Sequence, residues 1–487
     1  MRKAFSSQGR LDCLPIERLQ LNLNCRDEIV PLLEALKHIF GQSELREQLI
    51  RLVADDINET TRDDIGREGF DYWQIVVLAV VRLGCNVDYD KLQDLCENHR
   101  ALRCLLGAGD WDQATSFAAR RIRDTLAQLK PSTIEAMNHS LVLHGQELHG
   151  DARTKVRADS FVVETNIHYP TESSLIGDGL RKIIPLAVEL AGLMSEPGWR
   201  QAEHLKKKVK RQVREVARIS ASKSPRVKAT LNGAYGELLQ LAADLIERAQ
   251  TLETKAQQAA ANLPAVTLAQ ALKHWLTLTI QVCDTAYRRT QLGEQVANED
   301  KLFSLFEPHT QLYRRGKAGQ PNQFGRLALI YEDRAGFISH YYLLDRAAAD
   351  HDVVVEQTRI AQQRHQQEIA EASFDRGFHS DDNERELNEI IDHLCLPPRH
   401  RNQYAAKLAS ASVEYHRSRQ SHPGIESAIG ALQSGNGLER CRDKTEVGFE
   451  RYLGLAILGR NMHVLGKLLI ARNHAPSPAG ISKRQAA

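Results

Sequence analysis

Three carboxylates stand where chemistry could be done. Asp159 lies near the middle of a strand-like run at residues 156–163, inside VRADSFVVETNIHYPTE. Asp375 ends a short apolar run in EASFDRGF, directly before a turn at Gly377. Glu426 lies on the helical stretch PGIESAIGALQ, whose Pro423 suits a first helical position. Acids gathered at one place repel each other and raise one another's pKa, and a divalent cation relieves that repulsion. Hard oxygen donors with open water positions suit Mg2+ or Mn2+. Two such ions about 3.5–4 Å apart clamp the attacking and leaving oxygens of a phosphodiester. The pattern therefore points to metal-dependent phosphoryl chemistry on nucleic acid. Each acid also has an ordinary reading. Aspartate near a strand end is often a turn or cap residue, D-R-G-F fits a tight turn, and Glu426 fits a solvated helix surface.

For these acids to meet, the chain must form an open sheet in which neighbouring strands end together. After the first strand at 156–163, FGRLALIYEDRAGFISHYYLLD reads as two strands around a turn at residues 332–336. A polar helix follows from 355 to about 370, then the short strand that ends at Asp375. Asp381 with Glu384 has the form of a capping box opening a helix to about residue 391. HLCLPP reads as a last short strand, and two further helices complete the chain. The order is strand, strand, strand, helix, strand, helix, strand, helix, an α/β order that opens on an antiparallel meander. It is interrupted by a polar loop at 169–174 and by long helices at 201–219, 234–261 and 268–292, joined by SASKSPR and NLPAV. Residues 1–150 read as helix pairs, one turning at 84–86 and the next broken at 130–132. Such pairs can read DNA, and they also build ordinary bundles.

The chain's 487 residues exceed one small core and suggest two to four domains. Hydrophobic residues at 42% and charged residues at 26% fit a soluble, globular protein. A low aromatic content and abundant Ala, Leu, Arg and Gln favour helix. The net charge of +2 excludes a chain that is basic as a whole, so any affinity for nucleic acid must be local. Residues 200–228 supply it, with eleven Lys and Arg, among them Lys206, Lys207, Lys208, Lys210, Arg211 and Arg214, against Glu203 and Glu215. A charge run is usually a solvated face, but one so lopsided in a near-neutral chain favours binding of a polyanion. Eight cysteines without a C-x-x-C pair argue against a zinc ribbon. Scattered in a long chain without a secretory leader, they are expected to be reduced thiols in a cytoplasm. The longest apolar run, residues 75–81, is too short to cross a bilayer, and NHAPSPAGISKRQAA reads as a frayed tail.

Several stretches resemble bacterial DDE insertion-sequence transposases, especially the loosely classified group often labelled ISNCY. DSFVVETNIHYPTESSLIGDGLRK resembles their first-aspartate segment and FDRGFHSDDNE the second. GIESAIGALQSGNGLERCRDKTEVGFERYLGLAILGRNMHVLGKL is similar to the third-acid segment and the helix after it. WQIVVLAVVRLGCNVDYDKLQDLCENHRALRCLLG resembles the helical leader of the same elements. The resemblance implies an α/β RNase H-like catalytic core, a mixed five-stranded sheet flanked by helices, interrupted by a helical insertion and preceded by an all-α N-terminal domain. The expected boundaries are 1–150 for the helical DNA-binding or dimerisation domain, 151–177 with 321–472 for the core, 178–320 for the insertion with its basic stretch, and 473–487 for a disordered tail.

By position, the resemblance makes Asp159, Asp375 and Glu426 the holders of two Mg2+ or Mn2+ ions. It implies water activated to nick the element's end, then attack of the freed 3′ hydroxyl on target DNA. The implied partners are duplex DNA, as terminal inverted repeats and as target, and further copies of the chain in a dimer or higher assembly. The implied place is the bacterial cytoplasm at the nucleoid, with no membrane. The alternatives are a DNA-binding protein descended from such an enzyme and a nuclease on the same core without strand transfer. One departure stands out. Where relatives often carry Y-x2-R-x3-E-x6-K, this chain has Arg419, His422, Glu426 and Gln433. Two helical turns after Glu426, Gln433 shares its face and can donate a hydrogen bond to phosphate, but brings no charge; Arg419 can compensate. Arg376 fits a phosphate contact or a salt bridge. Glu164 fits support of the metal from outside or a solvated position, and His168 a hydrogen bond within its loop. Trp73, Trp111, Trp199 and Trp275 fit the core, with stacking on a base open to Trp199 beside the basic stretch.

Overall fold

Among the described residues, seven helices lead to the strand that carries Asp159: α1 (Ile29–Gly41), α2 (Ser43–Thr60), α3 (Tyr72–Gly84), α4 (Tyr89–Asn98), α5 (Arg100–Leu105), α6 (Ala119–Leu126) and α7 (Pro131–His149). The strand itself is β1 (Lys155–Thr165). Five helices follow: α8 (Glu172–Met194), α9 (Ala202–Ala221), α10 (Pro225–Lys228), α11 (Leu231–Gln258) and α12 (Leu263–Thr290). The chain then forms β2 (Gln311–Tyr313), β3 (Gln323–Asp333), β4 (Ile338–Leu343), α13 (Asp350–Arg364), β5 (Glu371–Ser373), α14 (Asp381–Asn388) and β6 (His393–Cys395). It closes with α15 (Arg401–Ser410), α16 (Val413–Ser421), α17 (Gly424–Gly430), a π-helical turn (Ala431–Gly435), β7 (Arg440–Cys441) and α18 (Glu446–His474). This computed structural model describes residues 13–60, 69–109, 115–150, 152–259, 262–314 and 321–474. Trp111 and the expected tail beyond His474 lie outside them.

The chain divides into two units, one made of residues up to Glu164 with those from Leu327 onward, the other of residues 165–326. The N-terminal helices are thus not a domain apart from the sheet, as a boundary at 150 would have made them. Leu32, Trp73 and Val80 share a core with Ile330, Phe337, Tyr452 and Leu458. The reason lies in α3, where every residue from Ile75 to Gly84 is buried. A helix apolar all round must be covered on every side, and α18 supplies much of the cover. α18 is long and apolar enough to cross a membrane by length and composition, yet 61% of its apolar window is buried within the protein. It approaches its neighbours through glycines: a Cβ on Gly459 would lie 2.6 Å from the Gly84 backbone nitrogen. The burial of α3 also bears on the helix pair it forms with α4. α3 is enclosed, and α4 carries Asp90, Asp94 and Glu97 against Lys91 alone, a charge balance that repels phosphate.

In the sheet of the first unit, β3 pairs with β1, β1 with β5 and β5 with β6, while β4 pairs with β3 and β7 with β1. The β1–β5 and β5–β6 pairs are parallel and β3–β4 is antiparallel. The β3–β4 turn is held by Asp333, whose Oδ1 accepts the Ala335 and Phe337 N–H groups at 2.9 and 3.0 Å, while Oδ2 accepts from Gln146 at 2.8 Å. Gly336 takes the left-handed conformation there. α14 is capped by Ser380, whose Oγ accepts the Asn383 N–H at 3.1 Å, and not by the Asp381–Glu384 pair. Glu384 instead meets His379 at 3.1 Å and Lys407 at 2.5 Å. Among the described residues, four helices rather than two follow β6, with breaks at 411–412, at Pro423 and Gly424, and at the π turn.

The second unit is a helical assembly with its own core, including Ile176, Leu180, Leu238, Leu245, Leu272 and Leu276. It begins at residue 165 rather than 178. The stretch expected as a polar loop already enters α8, because Thr171 caps the helix by accepting the Ser174 N–H while the Ser174 hydroxyl reaches back to the Thr171 N–H. β2 pairs with the first residues of β3 in this unit.

Candidate active site

Side chains alternate along β1, so Lys155, Arg157 and Asp159 share one face while Val156, Ala158 and Ser160 are buried on the other. The parallel register sets Lys155 beside Glu371, Val156 beside Ala372 and Arg157 beside Ser373. The pairing ends there: β1 runs on to Asp159, while β5 stops at Ser373 and Asp375 stands two residues beyond it. The charges along this row change character. Lys155 is neutralised by Glu371 at 2.7 Å. Arg157 donates to Glu332 at 2.6 Å and to the Ser421 carbonyl at 3.0 Å. The next residue on this face of β1 is an acid, Asp159. Asp159 is half-buried and its Oδ1 accepts the N–H of Ser160 at 2.7 Å; Asp375 is exposed, at the start of a single 3-10 turn formed by Arg376–Phe378.

The end of α16 and the start of α17 cover this face. His422 Nδ1 hydrogen-bonds Ser373 Oγ at 3.1 Å. Gly424 lies so close to Arg157 that a Cβ there would sit 2.1 Å from its Nη1. Glu426 extends from this docking point on the first turn of α17 and is exposed. The three acids thus lie on β1, two residues past the end of β5, and on the helix docked beside these strands. Among the described residues, no three His, Cys, Asp or Glu side chains are gathered closely enough to hold a metal ion together. Asp159 and Asp375 each follow the paired Arg157 and Ser373 by two residues, and among the described residues no three-ligand cage closes around them. The donor chemistry nevertheless suits a hard cation. The nearby thiol of Cys395 is buried and pushed up to about 11, and His422 is engaged with Ser373, so carboxylate oxygens are the donors on offer.

The chain matches no family model, no curated protein and no solved structure.

The residues expected around the third acid divide. Arg419 lies within electrostatic reach of Asp375 and hydrogen-bonds Tyr404, and the Arg376 guanidinium stands 4.5 Å from the Tyr404 ring centroid. Tyr404 therefore gathers both cations that flank Asp375. His422, expected to contact DNA, is withdrawn into the interior at 5% exposure. Gln433 is not on one continuous α-helix with Glu426. It falls within the π-helical turn Ala431–Gly435, where the Asn436 N–H reaches the Ala431 carbonyl five residues back. The wider turn takes following side chains off the α-helical line, by up to roughly 100° for one inserted residue. Glu164 pairs with Arg440 at 3.2 Å, away from a metal-supporting role, and His168 stands 3.5 Å from Asp178. Sequence reasoning missed Arg157, Glu332 and Gly424. The signal for Arg157 was its parity with Asp159 in VRADS; nothing local marks the other two.

Burial pushes the His422 imidazole down to about 4, with Asp375, Arg419 and Arg157 as its charged neighbours. Between about pH 6.5 and 4 the unfolded chain binds a proton here that the folded chain does not, so stability falls as pH falls through that window. His422→Gln should remove about 2–3 kcal/mol of that dependence, read by urea unfolding at pH 7 and pH 4.5. His340 and His365, also lowered by burial, act alike in both proteins. Parallel losses in the two proteins would mean that this imidazole does not govern the docking of α16.

In the second unit, α9 carries the basic stretch. Lys207, Arg211, Arg214 and Arg218 follow at i, i+4, i+7 and i+11, with Lys210 beside them, opposite the buried Val209, Val216 and Ile219. Lys206 and Arg218 are paired with Glu203 and Glu215 at 2.7 and 2.6 Å, whereas Lys207, Lys208, Lys210, Arg211 and Arg214 are exposed. Trp199 offers no stacking surface: it is 5% exposed and the Arg248 guanidinium lies 4.7 Å from its ring centroid.

Proposed function

We propose that this protein is a DNA transposase of an insertion sequence, built on an RNase H-like core, that cleaves the element's ends and joins them to target DNA. The observation that supports this is the parallel pairing of β1 with β5, which ends at Arg157 and Ser373, each two residues before an aspartate, with the chain that leads into α17 bound to the same two residues through Ser421 and His422. The strand order β4, β3, β1, β5, β6, a hairpin followed by parallel neighbours, agrees with such a core. Asp159, Asp375 and Glu426 would hold Mg2+ or Mn2+. A pair of divalent ions held by these carboxylates would supply activation of water and stabilisation of the oxygens entering and leaving phosphorus. Arg376 and Arg419 offset the repulsion between these acids and the phosphate backbone, and the exposed face of α9 binds duplex DNA without reading its sequence. The protein works on two ends at once, as a dimer or higher assembly, in the bacterial cytoplasm on nucleoid DNA.

The test incubates the full chain with Mg2+ and labelled duplexes taken from the inverted repeats that flank its gene. Nicked ends and end-to-target joined strands are the expected products. Nicks without joining would make the protein a nuclease on the same core, and binding without nicks a DNA-binding relative of the enzyme; either result overturns the transposase. For the basic face, replacing Lys207, Lys210, Arg211 and Arg214 by Gln should weaken duplex binding and flatten the slope of log K against log salt by up to about 3–4. An unchanged slope would place the duplex elsewhere.

A further inference from the structure

We propose that Arg157 is the positioning residue that aims Glu426, and that Gly424 is the notch that admits it. The proposal rests on Asp159, Asp375 and Glu426 being the acids of one site. Arg157 precedes Asp159 by one pleat on the same face of β1, and its guanidinium is committed in two directions. Nε donates to Glu332 at 2.6 Å, where the Glu332 side chain is 4% exposed. Nη1 donates at 3.0 Å to the carbonyl of Ser421, the last residue of α16. A helix's last carbonyls have no partner within the helix. Binding one of them with a planar, rigid fork fixes the direction in which the chain leaves α16. Three residues on, Gly424 passes over the same guanidinium, with room for a hydrogen and nothing larger: a Cβ would stand 2.1 Å from Nη1 and 2.8 Å from Cζ. One strand over, His422 binds Ser373. The start of α17 is therefore fixed over both β1 and β5, at the paired Arg157 and Ser373 that precede each aspartate by two residues, and Glu426 leaves from that fixed point.

The bland reading is an ion pair that only stabilises the sheet. It explains the Glu332 contact but not the other two features, a carbonyl bond to the helix that carries the third acid and a glycine where that helix crosses the guanidinium. The two readings differ in what Arg157→Lys does. Lysine keeps the charge and can still reach Glu332, but a single ammonium on a flexible stem cannot hold both partners in a fixed fork.

The experiment uses the full chain and two variants, Arg157→Lys and Gly424→Ala. Hydrogen exchange is followed across residues 421–430 in the absence of DNA and metal, and end cleavage is titrated with Mg2+. Both variants should speed exchange in 421–430 by tenfold or more while leaving the helices of the second unit unchanged. Both should raise the Mg2+ concentration for half-maximal cleavage by about 10–100-fold, as when the partners that orient metal ligands are lost, with end binding within about twofold. Exchange in 421–430 that matches wild type overturns the proposal. So does an unchanged Mg2+ half-point, because a merely structural contact lowers the yield of folded protein without moving the metal requirement. Should Arg157→Lys not fold, Gly424→Ala decides by the same two readouts. A wild-type chain that never cleaves would defeat the functional assignment, and the exchange arm would still decide the docking.

Discussion

Asp159→Asn should cut end cleavage by about 10²–10³-fold, the loss that follows removal of one preorganised electrostatic group, and should leave end binding largely intact. Asparagine keeps the Oδ1 that accepts the Ser160 N–H at 2.7 Å, so that contact survives while the charge is lost. Glu426→Gln should lose cleavage to a similar degree with no change in stability, because Glu426 is exposed. The checks are single-turnover cleavage and binding of end duplexes and urea unfolding, on the same preparations. Cleavage at wild-type rate in either variant would remove these acids from the site.

What the residues announced in advance was mostly local. The alternation of VRADSFVV marks β1 and puts Asp159 on its less buried face. The turn EDRAG between two apolar runs marks the β3–β4 hairpin, which the structure builds through Asp333 and Gly336. The long apolar repeats of the second unit mark its helices. What stayed hidden depends on partners distant in sequence. His422 looks like a polar residue near a helix end until Ser373, 49 residues earlier, closes over it. The π turn that displaces Gln433 has no compositional mark, because nothing in ALQSG distinguishes it from another α-helical turn. The absence of a separate N-terminal domain was concealed for a related reason. An all-apolar α3 announces that it is buried, but its periodicity cannot say by which elements.

The pairing that shows this best also yields the largest expected loss of stability. Arg82, at 2% exposure on α3, donates both Nη groups to Asp443, 361 residues away, at 3.0 and 2.5 Å. Its guanidinium lies 4.1 Å from the Tyr89 ring centroid and 5.4 Å from that of Tyr452. Around it, Asn436 donates to the Leu83 carbonyl, Asn86 to the Ser434 carbonyl and Arg442 to Asn86 Oδ1, each at 2.8–2.9 Å. The turn after α3 is thus tied to the segment that follows the third acid. Arg82→Ala leaves Asp443 without its counter-charge in a nearly closed place and should cost about 3–5 kcal/mol, seen as a lower urea midpoint. Arg82→Met combined with Asp443→Leu should recover most of that loss, because desolvating two charges consumes much of what their attraction returns. Among the described residues Arg82 Nε has no hydrogen-bond partner, which weakens the pair further as a source of net stability. If the double variant stays as unstable as the single one, the ion pair is itself a net stabiliser. If it recovers, the pair's contribution lies in direction: a bidentate fork fixes how the chain leaves the π turn, where an apolar contact would let that segment slide, and the hydrogen bonds around Asn86 should then loosen in the double variant although its midpoint is restored.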